Sequence, residues 1–568
     1  MIDKRTFLYI MLAVIGMLLW NQWSMEHAPV VEAKSPIVTT ASATPTGESP
    51  SSDLPPASAL AAAQQAGGNP AAASSAPSAA LPSSSHGQLI TVTTDTLQLI
   101  IDTKGGNVLK ASLPKYSQKV DNPDAPVQMF SDSPDNLYIA QSGLMGTNGP
   151  DTSKGQVTYH TDKTQYELPA GQETLSVDLK WHDAEGLAVT KRFVLKRGQY
   201  DLNVEYLIDN KSDEDWHGSL YAQIQRLKTG NDGGMFGMHT YTGAAISSEQ
   251  TPYEKISYKS MSKSNLSRTI TGGWVAMQEQ YFVSAWIPNS KAHNHFFSRV
   301  HDKDIYTIGY VAPELSVPPG SQATTSARMY VGPELQEELD KLAPHLGKTI
   351  DFGWLFFLSQ PIYWLLAKIN SFVGNWGWSI ILITLIIKLV FYKLSESSYR
   401  SMAKMRDLQP RMTAMKERFG DDRQKMSQAM MELYRKEKVN PLGGCLPMLI
   451  QMPFFIALYY VLIASVHLRH APWILWVQDL SAPDPYYILP GLMMLAMLMQ
   501  TRLSPTPPDR TQAIMMYVMP LGFSVFFATF PAGLVLYWFV NILFSIAQQA
   551  YIMQKFAGKK LKKVKVVQ

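Results

Sequence analysis

Lys388 occupies the most chemically demanding position in this sequence. It interrupts the apolar run Ser379-Ile-Ile-Leu-Ile-Thr-Leu-Ile-Ile387 ten residues after Trp378, which on an α-helix is about 15 Å into a hydrocarbon layer of about 30 Å. An ammonium left unsolvated there costs at least ~2.5 kcal/mol, so it calls for a wet cavity or a polar partner. Snorkelling is the competing reading: Tyr392 and Lys393 follow within about a turn, and the flexible stem can carry the charge to the inner interface. Thr384 lies four residues earlier on the same helical face. Gln451 brings an amide into a later apolar run, although amides there also simply join helices.

What is missing around Lys388 narrows the chemistry. The apolar runs contain no Asp or Glu, so neither a proton relay nor a sodium site can be built in them, and a lone positive charge suits a transient, negatively charged guest. There is no His-Glu-x-x-His helix, no Gly-x-Ser-x-Gly elbow and no P-loop. No enzymatic activity and no cofactor are expected. His467 and His470, beside Arg469, read as interfacial polar residues rather than metal ligands. Gly230 to Gly237 lacks the Lys-Ser/Thr ending of a phosphate loop and reads as a surface loop.

The elements that position Lys388 follow from an uneven composition. Lys and Arg number 50 against 46 Asp and Glu, for a net charge of +4, and 46% of the 568 residues are hydrophobic. The apolar runs concentrate after residue 351, which excludes a single soluble globule. With Cys445 alone, no intramolecular disulfide forms. Lys4 and Arg5 precede an apolar stretch from Phe7 to Trp20 that fits a cleavable signal or an anchor. Trp20 and Trp23 at its end, without a small-residue cleavage site, favour an anchor at 1–25. An Ala/Ser/Pro-rich linker, 26–87, is too poor in apolar residues to fold. Alternating runs from Gln88, such as Leu97, Leu99 and Ile101, with a turn at Gly105-Gly106-Asn107, predict an external β-sandwich over 88–347.

Residues 351–370 read either as a span or as a helix lying in the interface. The following segment, 393–440, carries 12 Lys or Arg against 7 Asp or Glu, and the positive-inside rule keeps it cytoplasmic only if 351–370 lies flat. An interfacial helix is therefore expected over 348–371. Spans are expected at Gly377–Tyr392, Gly444–Val466 and Tyr487–Met499 (about 20 Å long), and on either side of Pro531 within Ala513–Tyr551. With the anchor, this gives a polytopic α-helical membrane protein of six spans: an anchor plus a five-helix core at 372–554, with both termini inside.

The cytoplasmic segment 393–440 divides at Gly420-Asp421-Asp422 into a helical hairpin. Met402, Met405, Met412 and Met415 lie on one stripe and Met426 and Met430 on the other, and Pro410 is expected to kink the first helix. The methionines read as core filler or as an adaptable surface for varied hydrophobic partners. The tail, 555–568, carries Lys559, Lys560, Lys562 and Lys563 with no acidic residue, suited to anionic lipid or to a ribosome.

Several motifs carry a resemblance over essentially the whole chain. They are Ser401-Met-Ala-Lys-Met-Arg406, Leu408-Gln-Pro410, Lys438-Val-Asn-Pro-Leu-Gly-Gly-Cys445, Leu449-Ile-Gln-Met-Pro453, Asp484-Pro-Tyr-Tyr-Ile-Leu-Pro490 and Pro531-Ala-Gly-Leu-Val-Leu-Tyr537. In them the sequence resembles the YidC family of membrane-protein insertases, in the long form of Gram-negative bacteria. The resemblance implies a multi-pass inner-membrane protein with a periplasmic sandwich similar to sugar mutarotases, without sugar chemistry. It also implies an insertase and chaperone for nascent membrane proteins, working alone or beside the Sec translocon. A hydrophilic groove in that family holds a positive residue, usually Arg; the matching position here is Lys388, which lacks the bidentate fork. Thr384, Gln451, Tyr537 and Trp538 match groove positions, Trp538 standing where a second tyrosine is usual. Two other classes remain open: a solute transporter, for which paired repeats and an ion site are missing, and a structural assembly partner of the translocon.

Overall fold

The computed structural model describes residues 86–146, 148–152, 155–228, 241–301, 304–419, 422–437, 446–503 and 510–565. The expected anchor, nearly all of the linker, the Gly230–Gly237 loop and Cys445 lie outside these residues, as do the side chains of Lys559, Lys560, Lys562 and Lys563.

Strands dominate from Leu89 to Pro333. Leu187–Lys196 and Asp201–Asn210 alternate buried and half-buried positions along almost their whole length, and their register sets Val189 opposite Ile208, Phe193 opposite Val204 and Leu195 opposite Leu202. A period of two therefore puts one apolar face inward. Two sheets result, one of eight strands and one of thirteen. They meet across a shared core in which the Tyr138 hydroxyl lies 2.6 Å from that of Ser284 and the Trp286 indole donates to the Gln223 carbonyl at 3.1 Å. This is the sandwich expected from the alternating runs. Ile90, Val92, Leu97, Leu99 and Ile101 are fully buried. Gly105 and Gly106 turn the chain with φ of 72° and 63°, and a Cβ on Gly106 would meet the Lys191 side chain at 2.8 Å, so glycine is required there on both counts.

Two short helices, α1 (Tyr258–Lys263) and α2 (Gln336–Leu342), decorate the sandwich. After α2 the chain is tied to the sheets as it leaves them: the Gln278 amide donates to the Thr349 carbonyl at 2.6 Å, and Lys255 pairs with Asp351 at 2.6 Å. The core continues without a gap through Ile350, Phe352 and Leu355 into α3 (Phe356–Val373). α3 buries Ile362 and Leu366 and leaves Phe356, Phe357, Trp364 and Phe372 exposed. Its outward face is thus aromatic.

Seven further helices follow. α4 (Trp376–Val390) meets α5 (Tyr392–Phe419) at a 68° bend, and α6 (Arg423–Lys436) returns along α5. α7 (Leu446–Ala464), α8 (Ile488–Leu503), α9 (Arg510–Phe527) and α10 (Ala532–Lys565) complete the helical part. Among the described helices, Ala532–Lys555 alone is long and apolar enough to cross a membrane unaided, while the apolar parts of α7, α8 and α9 are shorter.

The helix bounds add detail to these segments. α8 runs 16 residues to Leu503, about 24 Å, four residues past the apolar stretch that ends at Met499. α5 continues through Pro410 as one helix of 28 residues. α10 passes Lys555 without interruption, so no break separates the last apolar stretch from the basic tail. Lys388 lies in the last turn of α4, which ends at Val390.

Candidate functional site

The surroundings of Lys388 are built by α4 and α10. α4 turns Ile380, Ile383, Thr384 and Lys388 inward, a three- and four-residue spacing that makes one face. Opposite it, α10 places Tyr537, Asn541, Ser545 and Gln549 at four-residue intervals, so four polar side chains share one line along the helix.

These two faces are joined by hydrogen bonds. The Lys388 ammonium donates to the Ser545 hydroxyl at 2.7 Å. Ser545 in turn donates to the Asn541 carbonyl at 2.7 Å, and the Asn541 amide donates to the Tyr537 hydroxyl at 3.4 Å. One turn further along, the Gln549 amide donates to the Leu503 carbonyl at 3.2 Å, satisfying one of the open carbonyls at the end of α8. Tyr399, from α5, approaches the Ser545 hydroxyl as well. Lys388 is 8% exposed. Its head group is therefore turned to α10 rather than carried outward along the helix. Its place in the last turn of α4 also sets its charge against the negative end of the helix dipole. An ammonium has three donors, and Ser545 is its one hydrogen-bond partner among the described residues.

The other sequence-derived positions fall into two groups. Thr384 is buried and its hydroxyl donates to the Ile380 carbonyl at 2.6 Å, so its proton is spent within α4. Tyr537 is buried and stacks on Phe455 at 6.0 Å between centroids, and Trp538 meets the same ring edge-on at 4.8 Å. Gln451 is half-buried and precedes Phe455 by one turn on α7, hence on the face turned to α10. These residues gather on the α4, α7 and α10 side of the bundle. The hairpin methionines are separate: Met412 and Met430 are buried with Leu408 and Tyr434 between α5 and α6, with Met405 packed against them, while Met402, Met415 and Met426 are half-buried.

Asn541, Ser545 and Gln549 were not singled out from the sequence. Each is unremarkable alone, since serine and amides join helices in many membrane proteins. Their signal was the shared four-residue spacing from Tyr537.

At the opposite end of α4, Trp376 stacks on His467 at 5.6 Å, and His470 Nδ1 lies 3.1 Å from the Ser117 hydroxyl of the sandwich. Arg469 donates to the Gln118 carbonyl at 3.1 Å. The loop after α7 thus touches the strand domain, and the hairpin lies at the other end of α4.

Comparison with known proteins agrees with this division. Residues 89–365 match the family described as the YidC periplasmic domain, and residues 368–560 match the 60Kd inner membrane protein family. A membrane protein insertase YidC of Pseudomonas entomophila (strain L48) is 48% identical over 551 residues, covering 97% of each chain. That of Stutzerimonas stutzeri (strain A1501) is 48% identical over 561 residues, covering 98% of this chain and 99% of its own. A solved YidC insertase with its first transmembrane domain resolved is 19% identical and overlaps 81% of this chain and 92% of its own, at a TM-score of 0.39. With two family matches that together span most of its length and relatives this similar from end to end, the chain belongs to the YidC family of membrane protein insertases.

Proposed function

We propose that this inner-membrane insertase works through a polar groove bounded by α4, α7 and α10, in which Lys388 holds an acidic segment of the incoming protein by its positive charge and its remaining donors. Thr384, Gln451, Tyr537 and Trp538 line the same groove. In this reading the chain crosses the membrane six times, α3 lies in the interface, and both termini and the α5–α6 hairpin face the cytoplasm, with the sandwich periplasmic. The hairpin methionines and the lysines of the tail receive the nascent chain or the ribosome, and the Sec translocon is a partner for longer substrates.

The observation that carries the reading is a buried charge with no carboxylate paired to it among the described residues. Lys388 is 8% exposed, and helices α3, α4, α7, α8, α9 and α10 contain no Asp or Glu. A buried ammonium held by one hydroxyl retains donors for a guest carboxylate. Moving a polar tail across hydrocarbon is costly for its charged groups, and a wet groove shortens the dry distance. α8, at 16 residues and about 24 Å, is shorter than a full hydrocarbon core and favours local thinning. Once the tail has crossed, burial of the substrate's apolar span in lipid drives completion.

The test is reconstitution of the purified protein in sealed liposomes, with protease-protected insertion of a short single-span protein as the readout. The parent should insert well above empty liposomes, and Lys388→Ala should lose about tenfold on an acidic-tailed substrate, the worth of one charged hydrogen bond. Insertion no better than empty liposomes would make the protein an accessory chaperone that needs the translocon.

A further inference from the structure

We infer that Ser545 is a positioning residue for Lys388, fixing where the ammonium stands and so the preference for acidic substrate tails. The inference rests on the groove reading above and adds a residue to it. Three observations support it. The Ser545 hydroxyl spends its one proton on the Asn541 carbonyl at 2.7 Å, so only lone pairs remain to face Lys388, whose ammonium donates to them at 2.7 Å. The polarity of the contact is therefore set by the backbone of α10 and does not depend on which way a free hydroxyl rotates. Ser545 is itself buried, and the carbonyl that orients it belongs to α10, which packs along α4.

Lysine makes such a device necessary. A guanidinium presents a planar fork whose donors are fixed relative to one another, whereas an ammonium on a four-carbon stem has no preferred direction of its own. Phe391 and Tyr392 follow at the end of α4, within snorkelling reach of the stem. With the Ser545 anchor the charge stays over α10 and leaves two donors for a carboxylate. Without it the stem is free to turn toward the hairpin end, and the groove loses its localised charge while keeping its shape.

The test compares the parent with Ser545→Ala, Ser545→Thr and Lys388→Gln in sealed liposomes. Two substrates are used, differing only in an acidic or an uncharged tail. Ser545→Ala should lower insertion of the acidic-tailed substrate about tenfold, as expected for one hydrogen bond to a charged group, and leave the uncharged one unchanged. Ser545→Thr, which restores the hydroxyl, should recover the parent's preference. In Ser545→Ala the Lys388 peptide should also react faster with a water-soluble amine reagent. Equal loss on both tails would mean a structural role and overturn the inference. Loss of the preference in Lys388→Gln but not in Ser545→Ala would also overturn it. An unchanged preference in Lys388→Gln would instead remove the groove reading on which it rests.

Discussion

At the scale of the residue, the decisive matter is which polar groups near Lys388 still have something to offer a guest. Thr384 shares the inward face of α4, yet its hydroxyl proton is committed to the Ile380 carbonyl at 2.6 Å. Thr384→Val, which keeps the shape and removes only that local bond, is therefore expected to change insertion in reconstituted vesicles by less than about threefold. A loss as large as that of Lys388→Ala would give the hydroxyl a direct role. The position of Lys388 was legible from one charge in an apolar run, but its partner was not. The choice between cavity and snorkelling depended on α10, more than 150 residues away in the chain. A second buried lysine was legible and passed unread. Lys191 follows Leu187 and Val189 and precedes Phe193 at alternate positions, the inward set of its strand, and donates to the Gly105 and Ser142 carbonyls at 2.9 and 2.7 Å.

At the scale of the element, the hairpin separates two roles for methionine that spacing alone left together. Met412 and Met430 are the filler between α5 and α6, with Leu408 and Tyr434, and the Tyr434 hydroxyl lies 3.7 Å from the Met412 sulfur. Arg411 and Glu437 close the open end at 2.7 Å, an exposed pair of small worth. Met431, by contrast, is 63% exposed. Met430→Ala removes a core side chain from a small two-helix contact, at a cost of roughly 2 to 4 kcal/mol. Amide exchange across Arg423–Lys436 should then quicken while exchange in the strands is unchanged; protection equal to the parent's would mean that this packing does not hold the hairpin. Met431→Ala should leave exchange alone and reduce cross-linking to a nascent chain, and undiminished cross-linking would place the receiving surface elsewhere. The helix pattern was readable here because the stripes repeat at three and four residues. The ends were not: the apolar stretch stops at Met499, whereas α8 runs on to Leu503.

At the scale of the whole molecule, the strand domain and the helices share one continuous core, and a carboxyl is buried where they join. Glu334 is 6% exposed, accepts a hydrogen bond from the Gln278 amide at 3.4 Å, and is held by burial well above the usual carboxylate range. The folded protein thus prefers it protonated. Its contribution is fully present below the unfolded carboxyl's pKa and is lost as pH rises through the raised folded value. Glu334→Gln keeps the acceptor for Gln278 and removes the charge. The variant should unfold at a higher temperature than the parent at pH 8, by roughly 2 kcal/mol of stability, with the difference vanishing near pH 4. A parent that is the more stable at pH 8 would mean that Glu334 is ionised and paired in the fold. The sandwich itself was legible from alternating runs, whereas this junction was not, since it depends on Gln278 reaching both Glu334 and the Thr349 carbonyl.

The central claim is that the positive charge at position 388 selects the tail to be moved. The most direct measurement is a charge exchange: the parent and Lys388→Glu, each reconstituted in sealed liposomes and each given the same single-span substrate with an acidic or a basic tail. The account predicts that the parent favours the acidic tail and that Lys388→Glu reverses the preference, since like charges in one groove repel. If Lys388→Glu inserts acidic-tailed substrate as well as the parent does, the account is contradicted.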